Sequence, residues 1–66
     1  MKISARNVLE GSVGSVVDGA VNSEVQVSLD GGETIVASIT RGSVDRLGLV
    51  PGAPVVAIVK APLVML

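Results

Sequence analysis

The 66-residue chain has no cysteine, no histidine and no aromatic residue. Without thiols no disulfide can staple a small fold, and without Cys or His a soft metal site has no ligands. Without Phe, Trp or Tyr, each able to bury some 150–250 Å², Val, Ile, Leu and Ala must do all the burying. A single-stranded nucleic acid would also find no stacking platform. Basic charge is not in excess either. Five Lys and Arg stand against six Asp and Glu, for a net charge of -1 and a pI near 5.0, the wrong balance for a phosphate backbone. The N-terminus carries no apolar run of signal-peptide length, and the longest later run, 53–59, is far short of the ~20 residues of a membrane span. The expectation is a cytoplasmic protein with no nucleic-acid or membrane partner. Catalysis lacks its parts as well, since no nucleophile has a base near it in sequence and no carboxylates cluster. The chain is expected not to be an enzyme and to need no cofactor.

What is present is aliphatic. Hydrophobic residues make up 48% of the sequence. A chain of this length is expected to form one domain, residues 1–66, yet folds below roughly 70–80 residues rarely build a core giving more than about 3–5 kcal/mol. With disulfides and metals excluded, association with copies of itself is the remaining supplement, and the leftover apolar surface of such a fold marks where it occurs.

Residues 8–17 are rich in Val and interrupted by Gly11 and Gly14, the signature of a strand that bends. Asp18-Gly19 follows as a hairpin turn. Strict alternation then places Val21, Ser23, Val25, Val27 and Leu29 on one face, a half-buried strand. Asp30-Gly31-Gly32 turns the chain into a third strand, 33–40, which buries Ile35, Ala37 and Ile39. Residues 43–47 predict a short helix capped by Ser43, facing the core with Val44 and Leu47 and stopped by Gly48. After the Val50-Pro51-Gly52 turn, 53–59 is apolar at every position, so both faces of that strand are expected to be covered, one by a neighbour. Leu63-Val64-Met65-Leu66 predicts a last short strand. The pattern is all-β: a small five- to six-stranded barrel of the oligonucleotide/oligosaccharide-binding (OB) type with one short helix.

Three pieces carry hydrogen-bond donors at predicted strand ends, where loops gather and sites are built. In an extended segment Ser4 and Arg6 share a face. Thr40 and Ser43 bracket the start of the helix, and Lys60 precedes Ala61. Hydroxyls, amides, one guanidinium and one ammonium suit a tetrahedral dianion, which offers only acceptors. Each residue alone is equally readable as an ordinary surface or capping residue.

Together these motifs resemble a family. Ser4-Ala5-Arg6-Asn7 opening a strand, Ile39-Thr40 before Ser43-Val44 and Leu47-Gly48-Leu49, and Val59-Lys60-Ala61-Pro62 near the end look like the molbindins, the Mop-type molybdate-binding members of the transport-associated OB-like domains. The resemblance spans essentially the whole chain. It implies an OB-like fold, binding of molybdate or tungstate for storage and homeostasis, and a homohexamer built as a trimer of dimers. It also implies interfacial sites formed by Ser4, Arg6, Thr40, Ser43, Lys60 and the Ala61 amide, with no cation ligands. Two other readings remain open at this stage: a molybdate-sensing regulatory module acting through a partner, and a ligand-free structural oligomerisation domain.

Overall fold

The structure, a computed structural model, describes residues 7–66. Strands β1 (Asn7–Asp18), β2 (Asn22–Leu29) and β3 (Thr34–Thr40) lead into helix α1 (Arg41–Leu47), and β4 (Pro54–Val59) is followed by a single 3-10 turn, Ala61–Leu63. The strands form one antiparallel curled sheet in the order β3-β2-β1-β4.

β1 organises the sheet by serving two partners in succession. Its first half pairs with β4, from Asn7 opposite Val59 to Ser12 opposite Pro54. Its second half pairs with β2, from Gly11 opposite Leu29 to Asp18 opposite Ser23. The bend expected from the two glycines is realised at both. Gly11 lies where the two pairings overlap, and the β1–β2 register slips between Val13 and Ser15, leaving Gly14 as the extra residue of a bulge. Val13 is thereby fastened to the loop before β4: its N–H donates to Ala53 O at 2.9 Å and its carbonyl accepts from Gly52 N at 2.8 Å.

Alternation along β2 buries Ser23, Val25 and Val27, and with Val13 and Val44 these form the core. Val16, Leu29, Ile35, Ile39, Leu49, Ala53 and Val55 pack around it. Buried Ser23 keeps its hydroxyl satisfied by donating to Asp18 Oδ1 at 2.6 Å, which ties the ends of the first hairpin together. Val21 was expected on the buried face but is exposed, because β2 begins only at Asn22 and Val21 belongs to the turn.

Three other expectations are corrected. Four strands, not five or six, are present among the described residues. The expected last strand is replaced by the 3-10 turn: Pro62 has no N–H to give a ladder but suits the first positions of a helical turn, which is closed by Leu63 N to Lys60 O at 2.9 Å and Val64 N to Ala61 O at 3.2 Å. Leu47 faces solvent rather than the core. Gly48 takes the left-handed conformation (φ 66), and the chain reverses with Gly48 N donating to Asp45 O and Leu49 N to Val44 O. This helix-ending motif brings Leu49, not Leu47, back onto the core.

Within the chain β4 alternates: Val55, Ala57 and Val59 are half-buried, whereas Val56 and Ile58, on the face expected to meet a neighbour, are exposed, with Val8 of β1 beside Ile58. Leu63, Val64, Met65 and Leu66 add to this uncovered apolar surface. No helix among the described residues is long and apolar enough to cross a membrane.

Candidate functional site

Thr40 and Ser43 meet. Thr40, not Ser43, is the residue that caps α1: its extended backbone (φ -67, ψ 149) precedes the helix, and its Oγ1 accepts from Ser43 N at 3.2 Å. Both residues are hydroxyls, and the cap fell to the one that ends a strand, where the extended geometry already exists. Thr40 Oγ1 donates in turn to Ser43 Oγ at 2.8 Å. Arg46, one turn on, donates from Nη2 to the same Ser43 oxygen at 3.0 Å and from Nε to Gly42 O at 3.4 Å. Ser43 Oγ therefore receives two hydrogen bonds, so its own proton is available to an outside acceptor. The Ser43 hydroxyl is thus a polarised donor beside a fixed guanidinium, on an exposed rim.

Arg46 is the residue that sequence reasoning missed. The signal was there in the spacing, since positions three apart on a helix are neighbours, but Arg46 reads equally well as a favourable cation in a last helical turn. The cap itself makes a test: Thr40→Val is expected to lower stability by about 1 kcal/mol, whereas Thr40→Ser keeps the cap. Urea unfolding of the two variants measures the difference.

Lys60 is exposed and sits directly after β4, where its carbonyl starts the 3-10 turn. Ala61 is the first residue of that turn, so its N–H has no acceptor within it. Pro62 contributes no donor. Asn7, which follows the Ser4-Ala5-Arg6 stretch in the chain, pairs with Val59 and donates from Nδ2 to Val59 O at 3.2 Å. The chain thus enters its first strand next to the Lys60 end of β4. Ser4 and Arg6 themselves lie outside the described residues.

The two donor groups do not share a place in the chain. Thr40 ends β3 opposite Asn22, at the Asp18 end of β1, whereas Lys60 follows Val59 at the Asn7 end. β3 and β4 are also opposite edges of the sheet. No hydrogen bond among the described residues links Lys60 or Ala61 to Thr40 or Ser43. Among the described residues no group of three or more His, Cys, Asp or Glu is placed to hold a metal ion.

The family model for the TOBE domain matches residues 3–66. The chain belongs to the TOBE domain family, in its Mop-type branch. Over its full length it is 46% identical to the molybdenum-pterin-binding protein MopA of Rhodobacter capsulatus, and it spans 25% of that longer protein. It superposes on a molybdate-binding protein from Sporomusa ovata with a TM-score of 0.94 and 44% identity, covering 100% of this chain and 97% of the other. The cytoplasmic molybdate-binding protein ModG, solved with molybdate bound, gives a TM-score of 0.89 at 46% identity over 92% of this chain and 43% of its own. The curled OB-like sheet of this TOBE domain, with its helix after β3, is therefore a fold shared with solved molybdate-binding proteins, and such relatives are binding proteins.

Proposed function

We propose that this TOBE domain binds molybdate and tungstate, as a cytoplasmic store that takes up the oxyanion and releases it unchanged. The site consists of Ser4, Arg6, Lys60 and the Ala61 amide from one chain, with Thr40 and Ser43 from a neighbour in a homohexamer built as a trimer of dimers. The observation that carries this reading is the placement just described: the Lys60 end of β4 and the Thr40–Ser43 hydroxyls stand at opposite edges and ends of one sheet, which favours a second chain as the means of bringing them onto one guest. The uncovered strip of Val8, Val56 and Ile58 supports such association. The names of the relatives support the choice of anion.

Selectivity follows from the donor set. A site that offers only donors meets all acceptors of a dianion, but it opposes the remaining proton of monohydrogen phosphate. Sulfate is rejected by size, because donors spaced for the larger anion cannot all reach it. Titration calorimetry is expected to give heat with molybdate and tungstate and little with sulfate. Arg6→Ala and Lys60→Ala should each weaken binding about tenfold or more, since a hydrogen bond to a charged group contributes ~1.5–3 kcal/mol. No heat with any oxyanion would leave a ligand-free oligomerisation domain.

A further inference from the structure

Among the described residues the sheet has two edges, and they are not alike. β4 opens with Pro54 and is followed by Lys60, two devices that discourage another strand from pairing. β3 has neither. Thr-Ile-Val-Ala-Ser-Ile-Thr, 34–40, carries no charge and no proline, and it pairs with β2 without a bulge. Its outward backbone groups can be assigned. Leu29 N donates to Glu33 O at 2.7 Å and Arg41 N to Val21 O at 3.0 Å, so the odd-numbered residues turn their polar groups to β2. In an antiparallel strand the alternate residues then point the other way, which directs the N–H and C=O of Thr34, Val36 and Ser38, and the N–H of Thr40, to the open edge.

The segment is nearly the same read backwards. Turned about Ala37 against a second copy, Thr34 falls opposite Thr40, Ile35 opposite Ile39, Val36 opposite Ser38, and Ala37 opposite itself. This register sets outward-pointing residues against one another, so each Val36–Ser38 pair exchanges both its bonds. It also extends to charge. Just beyond the strand Glu33, in the turn before β3, falls across from Arg41, the first residue of α1, both exposed, and two-fold symmetry repeats this at the other end.

We infer that β3 pairs edge to edge with β3 of a second copy, antiparallel about Ala37 and locked in register by two Glu33–Arg41 ion pairs. The pairing would supply a two-fold contact for the assembly proposed above, but it needs no oxyanion and stands if molybdate does not bind.

A single thiol tests it, because the chain has no other. Across the two-fold, two Ala37 Cα atoms would lie about 4.5 Å apart, within the ~4.4–6.8 Å span of a disulfide. Ala37→Cys is expected to cross-link to a disulfide dimer under mild oxidation, with or without molybdate, far faster than Val17→Cys on the exposed first hairpin. Adding Arg41→Glu should slow cross-linking about tenfold by setting like charges together at both ends, and adding Glu33→Arg as well should restore it. Should the cysteine variants not fold, sedimentation equilibrium of Arg41→Glu and of the Glu33→Arg/Arg41→Glu chain reads the same loss and recovery. A thiol at 37 that cross-links no faster than one at 17, or a double charge reversal that fails to recover, overturns the pairing.

Discussion

Replacing Gly11 by alanine is expected to destabilise the fold by about 3 kcal/mol or more, the range of overpacking against a site that cannot yield. A methyl group at this position would land on the Ser28 carbonyl oxygen, with Leu29 Cα and Ser28 C both at 3.0 Å. These neighbours are backbone, not the tip of a side chain that could swing aside. Nor can β1 move away, since Gly11 is paired with Leu29 on one side and Val55 on the other. Relief on one side breaks ladder bonds on the other. A core of four buried valines in a fold of this size supplies about 3–5 kcal/mol in all, so Gly11→Ala should leave little margin. Thermal unfolding followed by circular dichroism, with Gly42→Ala alongside, measures this. Gly42 lies in α1 with open space around it, and alanine there should stabilise by about 0.5–1 kcal/mol. If both variants melt together, the crossover at Gly11 is not what constrains β1.

The same contrast explains which parts of the fold were legible in the residues. β2, the two hairpin turns and the stop at Gly48 are each specified locally, by alternation along one face, by the positive φ of Gly32 and Gly48, and by the space that Gly19 leaves for the Asn22 carbonyl. The misreadings came where two local signals competed. Ser43 and Thr40 are both competent caps, and the strand ending at Thr40 decided between them. Leu47 and Leu49 both flank the stop, and the reversal at Gly48 selected Leu49. Leu63 to Leu66 are apolar enough for a strand, but Pro62 directs the chain into a 3-10 turn first.

The site is legible to a different degree. Thr40 and Ser43 are close in sequence, so their meeting follows from a helix start, and Arg46 joins them by the same spacing. The relation of either to Lys60 is not a local property. It depends on strand order and register, which place the two groups apart, and on assembly, which one chain's sequence addresses only through the surface it leaves uncovered.

That separation makes the largest functional effect one that appears on mixing. Lys60→Ala and Ser43→Ala are each expected to bind molybdate about tenfold or more weaker than the unaltered chain, from the loss of a donor to a dianion. Circular dichroism should show both folded, because Lys60 is exposed and Ser43 is not part of the core. Unfolded together in equal amounts and refolded, they should regain tight binding in roughly a quarter of the sites, the product of two one-half chances when a site draws on two different surfaces of adjoining chains. The Ser43→Ala chain lends its intact Lys60, the Lys60→Ala chain its intact Ser43, and each recovered site is balanced by one that lacks both groups. Were all donors to come from a single chain, every chain in the mixture would carry a defect and no tight site could form. Calorimetry of the mixture against its two components therefore separates a shared guest from a private one, and a mixture that binds no better than its parts would rule out the intersubunit site while leaving molybdate binding itself intact.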